Sequence, residues 1–214
     1  MLIHYYTIFQ RMKKNCNFYN FIIFIIFIIL YIPILIMDEI KNKITDYQYN
    51  FLKKMEQYID QKLIFFGSVT RIDFIKNKSD IDVAILSDNV DATLKKLQNF
   101  LHIKNSKIRK SIQKFHNYSD NLIYGYKINN DDEVNNLYLE ILINNKKDEK
   151  VINEFIKDNN NIPFYITIIL YILKIMYYYL NILSYDTFRS IKHYLMGLYF
   201  GDSKLQPLIT IKHK

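Results

Sequence analysis

Between residues 38 and 61, Ile40, Ile44, Tyr47, Phe51, Leu52, Met55 and Ile59 recur at helical spacing with charged residues between them. That pattern predicts an amphipathic helix lying on a sheet. Residues 62–66 (KLIFF) form a short apolar run that stops at Gly67, and residues 80–86 (DIDVAIL) form another; both read as buried strands. Asp88 and Asn89 offer caps for a helix over 91–101, whose apolar face includes Leu94, Leu97 and Leu101. Residues 121–128 (NLIYGYKI) and 137–143 (LYLEILI) read as strands joined by the turn-rich NNDDEVNN. Beyond Pro163 the pattern changes: residues 164–200 are rich in Ile, Leu and Tyr, with no Gly or Pro until Gly197, and predict helix. No internal repeat is visible. The expected fold is α+β, a short mixed β-sheet flanked by helices and followed by a helical C-terminal region. The expected division is 1–37, 38–150 and 151–214.

Two stretches raise the question of a membrane. Residues 21–37 (FIIFIIFIILYIPILIM) are apolar throughout, at the lower limit of the roughly 17–25 residues a spanning helix needs. Arg11, Lys13 and Lys14 precede them and Asp38 and Glu39 follow, a charge order that would keep the N-terminus in the cytosol and carry the rest across. No small-residue cleavage site follows, so a cleaved signal peptide fits poorly. The alternatives are a membrane anchor through 21–37 or a translation start at Met37, where MDEIKNKITDYQYNF opens a helix directly. The second stretch, 162–183, carries Lys174 near its middle and five tyrosines. A charge there is costly in lipid, so the segment reads as a buried helix that packs on the domain or, over 162–196, pairs with a helical partner.

Composition narrows the chemistry. The chain has 214 residues, half of them apolar, so a sizeable core is available. Its single cysteine, Cys16, excludes an internal disulfide and argues against a cysteine zinc site. The histidines (His4, His102, His116, His193, His213) show no ligand spacing. Net charge is +8, of which residues 38–214 carry +5, a balance compatible with an anionic partner such as an NTP or RNA. Residues 102–116 hold Lys104, Lys107, Arg109, Lys110 and Lys114 without an acid. They offer either an RNA contact through phosphates or a solvated basic face.

There are only four glycines, and one opens Gly67-Ser68 directly after a predicted strand. After an eleven-residue gap comes Asp80-Ile81-Asp82. On a strand these two carboxylates point to the same face and repel unless a cation lies between them. A hard divalent ion such as Mg²⁺ takes oxygen ligands of this kind. A Gly-Ser turn supplies the complement: glycine admits close backbone approach, and exposed N–H groups with a hydroxyl can cradle phosphate.

This combination resembles the signature of the polymerase β-type nucleotidyltransferase superfamily, and Gly67-Ser68-Val69-Thr70-Arg71 with Lys78-Ser79-Asp80-Ile81-Asp82 looks like its minimal members. The resemblance covers roughly residues 62–143. Minimal members usually place glycine after the arginine, where this chain has Ile72; a left-handed backbone there would strain a β-branched residue. The resemblance implies two-metal transfer of an NMP from an NTP to an acceptor hydroxyl, with pyrophosphate released. Asp80, Asp82 and Glu140 would be catalytic and metal-binding; Gly67, Ser68 and Arg71 would bind nucleotide. Two Mg²⁺ or Mn²⁺ ions are implied. Glu140 stands alone among apolar neighbours on its face of LYLEILI, and the rival reading for it is a salt bridge to a nearby lysine. Asp73 reads as a surface residue. The acceptor (a protein, an RNA end or a small molecule) is not encoded in the shared motif. An NTP-using enzyme points to the cytoplasm. Rival readings are an inactive, antitoxin-like binding module that kept the fold, and a protein whose working part is the anchor at 21–37.

Overall fold

The computed structural model describes residues 40–114, 122–200 and 209–212. The apolar run at 21–37 and the alternative start at Met37 lie outside the described residues, as do positions 115 and 116 of the basic stretch.

The expected first helix is two. Helix α1 (Ile40–Lys43) is one turn, and α2 (Asp46–Ile59) starts afresh at Thr45. The Thr45 side chain accepts from Gln48 N, and the Gln48 side chain accepts from Thr45 N, a reciprocal cap that forces a new helix start. Then follow β1 (Leu63–Phe66), a 3-10 turn over Gly67–Thr70, β2 (Ile81–Ser87) and α3 (Val90–Leu101), with Asn89 as its cap. The chain continues through β3 (Ile108–Lys114), β4 (Leu122–Asp132), β5 (Leu137–Asn145), α4 (Glu149–Asn160), α5 (Phe164–Tyr178), α6 (Tyr185–Phe200) and β6 (Ile209–Lys212).

The six strands form one sheet in the order β1-β2-β5-β4-β3-β6, with β2 and β5 parallel and the other pairs antiparallel. Alternation along the strands sorts its two faces. Leu63, Ile81, Val83, Ile85, Leu139, Ile141 and Ile143 meet Leu52, Met55 and Ile59 of α2 and Leu94 and Leu97 of α3 in the main core. Phe66, Ala84 and Leu142 face the other way, against Ile152 and Ile156 of α4. The mixed sheet with flanking helices is the expected α+β fold. Strand β3 was not expected in the basic stretch; its buried Ile108 is the residue that anchors it to the core. Strand β6 likewise lies in a region expected to be helical.

Among the described residues no single helix is long and apolar enough to cross a membrane; residues 146–160 and 164–178 pass together only as a pair bent by 72°. Helix α5 is the buried helix expected around Lys174, packing Ile166 and Leu170 against Phe200 of α6. Lys174 itself is 5% exposed. Its Nζ donates to Asp73 O (2.8 Å) and Ser79 Oγ (3.2 Å) and pairs with Asp73 Oδ2 (3.2 Å). Asp73 is therefore not the surface residue expected but is 1% exposed. Burial alone would raise its carboxyl pKa; the charges of Lys174 and Arg71 hold it below the ordinary value. Arg71 grips the same carboxylate through Nε and Nη2 (2.8 and 3.1 Å) and donates from Nη1 to Asn159 O (2.8 Å) at the end of α4. Residues 71–79, between the Gly-Ser turn and Asp80, are thus fastened to both α4 and α5.

Breaking a buried pair leaves a desolvated charge behind. Lys174→Met is expected to lower stability by about 3 kcal/mol, read as a shift of the urea midpoint at unchanged slope.

Candidate active site

Register places the chemistry in a row across the sheet. Phe66 of β1 pairs with Asp82 of β2, Asp82 with Glu140 of β5, and Glu140 with Asn129 of β4. Asp80 precedes β2 by one residue and lies two positions before Asp82. The parallel pairing of β2 with β5 is what sets the acidic residues of both strands side by side.

The Gly-Ser turn lies against this row. Gly67 has φ +71°, a left-handed backbone, and a Cβ built on it would collide with Asp82 Oδ2 and lie 3.0 Å from Asp82 Cγ. Glycine is required there twice, once by conformation and once by space. Thr70 Oγ1 closes the turn onto Gly67 O (2.8 Å), with Asn160 Oδ1 of α4 at 2.9 Å. Ser68 is buried within the turn. Among the described residues, those other than glycine with a left-handed backbone are Asp60, Asn77, His102, Asn136 and Asn181, and Ile72 is not one of them. The strain considered at Ile72 is thus not present, because the chain leaves the 3-10 turn through an extended Arg71 (φ −112°, ψ 173°).

The carboxylates feel one another. Asp82 is pushed up to about 7, first by burial and then by the negative charge of Glu140, with a further push from Asp80; Lys192 and Lys174 oppose it. Asp80 is raised by burial, with Glu140 and Asp131 adding to the effect and Lys192 countering it. The two aspartates are therefore an all-oxygen donor pair whose repulsion a divalent cation would relieve. Glu140 is differently engaged. Its Oε1 lies 2.5 Å from Nζ of Lys127 on β4, the lysine partner that the sequence left as its alternative. Among the described residues no three His, Cys, Asp or Glu side chains are gathered closely enough to enclose an ion.

Arg71 is not brought to the row; its guanidinium is taken up by Asp73 and Asn159. Of the basic stretch, Lys104, Lys107, Arg109 and Lys110 are exposed around β3.

A family profile described as Nucleotidyltransferase domain matches residues 48–161, more than half of the chain. The chain belongs to this nucleotidyltransferase family. No curated protein is a significant match to the sequence. A solved structure, described as the structure of a GLD-2/RNP-8 complex, is similar at 13% identity with a TM-score of 0.34. The match covers 76% of this chain and 59% of that one.

Within this nucleotidyltransferase fold, four charged or phenolic groups that the sequence did not single out interact electrostatically with the acidic row. Lys192 comes from α6, and the only local hint is its position one helical turn after Phe188, which stacks on Tyr177 of α5 (4.6 Å, 14°). Tyr178 of α5 lies near Asp80: burial raises its pKa, and the negative charge of Asp80 raises it further. Asp131 arrives because β4 runs on to Asp132, through residues that read as a turn. Lys127 sits two residues before Asn129, on the face that alternation gives to Ile123.

Two measurements follow from this geometry. Gly67→Ala is expected to cost about 2 kcal/mol of stability, seen by thermal or urea unfolding. The second concerns pH. Because the folded-state pKa of Asp82 is raised, its stabilising contribution is complete below the ordinary carboxyl value of 3.8 and is lost as pH climbs through about 7. In divalent-free buffer the melting temperature is therefore expected to fall across that window, and Asp82→Asn is expected to flatten the fall.

Proposed function

We propose that this chain transfers a nucleoside monophosphate from an NTP to an acceptor hydroxyl, releasing pyrophosphate. The observation that carries the reading is the contact of the Gly67 turn with the Asp82 carboxylate, in register with Glu140. A phosphate cradle and a cation-binding carboxylate pair thereby share one small volume.

In this reading the acceptor oxygen bonds to the α-phosphorus as the bond from that phosphorus to the β,γ-pyrophosphate oxygen breaks. The turn N–H groups and the Ser68 hydroxyl donate to phosphate oxygens, and the Lys192 ammonium offsets triphosphate charge. Asp80 and Asp82 hold a divalent cation, Mg²⁺ or Mn²⁺, which when bound supplies Lewis-acid stabilisation of the phosphoryl charge. Glu140 and Lys127 flank the acceptor side. Arg71 acts at one remove, holding Asp73 and the end of α4 so that the loop entering Asp80 keeps its shape. In this assignment residues 38–150 form the catalytic domain and 151–214 a helical region that delivers Lys192. Phe164, Tyr165, Ile169, Tyr194 and Leu198 leave exposed apolar surface on that region, a face for a helical partner. Lys104, Lys107, Arg109 and Lys110 would meet RNA if RNA is the acceptor. The NTP requirement points to the cytoplasm, with a membrane anchor through 21–37 as the alternative.

The test is pyrophosphate release from each NTP with Mg²⁺ or Mn²⁺ and a mixed pool of protein, RNA and small-molecule acceptors. Release is expected to be metal-dependent and to fall at least ~100-fold in Asp82→Ala. NTP binding without release from the unsubstituted chain would instead support the binding-module reading, and absence of NTP binding would overturn the site.

A further inference from the structure

The lysine on Glu140 bears on how many ions the centre holds. Glu140 lies next to Asp82 on one side and Asn129 on the other, with Lys127 the diagonal neighbour on the same face. The ion pair joins Lys127 Nζ to Glu140 Oε1 at 2.5 Å, and the two side chains are only 17% and 26% exposed. Charge-assisted hydrogen bonds are the strong ones, and partial burial weakens the screening that would loosen this one. Gly125, two residues earlier on β4, has no room for a Cβ because the Ile143 carbonyl and the Asn144 amide crowd it. The strands are pressed together there, which fixes the register that brings lysine to glutamate.

We propose that the Lys127 ammonium takes the place of a second divalent cation at Glu140, so that the centre holds one ion, at Asp80 and Asp82, for each bound nucleotide. The inference rests on the nucleotidyl-transfer reading above and departs from the two-ion arrangement that the sequence motif implied. Three features support it. Glu140 already has a cationic partner, whereas among the described residues no ion pair is formed by Asp80 or Asp82. A divalent ion bound to Glu140 would stand within a few ångströms of the ammonium and be repelled by it. The described residues, moreover, do not gather three carboxylates around one point. Lysine in this place puts a fixed positive charge beside the attacking oxygen without requiring a further ligand set.

The experiment counts ions in the full chain, saturated with an NTP analogue whose α,β-bridging oxygen is replaced by methylene. Mn²⁺ is titrated, counted in the protein fraction by equilibrium dialysis, and examined by electron paramagnetic resonance. The expected result is one Mn²⁺ per chain with the spectrum of an isolated ion. Lys127→Met or Lys127→Gln, each checked for folding by circular dichroism, should take up a second Mn²⁺ and show a spin-coupled pair. Adding Glu140→Gln to either variant should return the count to one. Two ions in the unsubstituted chain would overturn the inference and leave the nucleotidyl-transfer reading standing, as would a count that stays at one in the folded lysine variants. No Mn²⁺ beyond that carried by the nucleotide, with Asp82→Asn indistinguishable, would overturn the carboxylate site itself and this inference with it.

Discussion

Position 67 has no side chain because Asp82 Oδ2 occupies the place where a Cβ would stand. That exclusion ties the first turn after β1 to the second residue of β2. Much of the neighbouring structure maintains this contact. The antiparallel pairing of Phe66 with Asp82 sets the approach, Thr70 clasps the turn to Gly67 O, and Asn160 meets the clasp from α4. A turn of this kind would be worth little to the site if it could drift from the acid, and these contacts hold it there.

The charges around that contact are unequally satisfied. Asp73 has both Arg71 and Lys174, Glu140 has Lys127, and the fields at Asp80 and Asp82 are opposed chiefly by Lys192, an exposed residue of α6. The two paired acids are stable where they are. Asp82 carries the cost in its raised proton affinity, which is the physical sign of a site that gains by acquiring positive charge. The fold thus separates acids that have an ion-pair partner from acids that, among the described residues, have none.

How much of this was legible in the chain depends on the range of the cause. Gly67, Ser68, Asp80 and Asp82 could be found because strand alternation is a local rule and glycine is scarce. Strands β1, β2, β4 and β5 and helix α3 followed from equally local apolar patterning, and Asn89 was readable as a cap. Strand β3 was hidden because Lys107, Arg109 and Lys110 are exposed around its one core anchor, Ile108, so charge obscured the alternation. The break between α1 and α2 was written in Thr45 and Gln48 but overridden in reading by the continuous apolar spacing. Asp73 was misread because its burial is caused by Lys174, a residue 101 positions away. Lys192 and Tyr178 were invisible for the same reason: only the docking of α5 and α6 brings them to the carboxylates.

The fastening of Asp73 to Lys174 also says something about where this protein can be cut. The family match ends at residue 161, yet the ammonium that shares the buried carboxylate, and donates to Ser79 beside Asp80, belongs to the next helix. A fragment trimmed to the family boundary would keep every residue of the signature and lose a counter-ion from the loop that connects its two halves. The smallest autonomous piece is set by electrostatics and not by homology: it must run at least through Lys174.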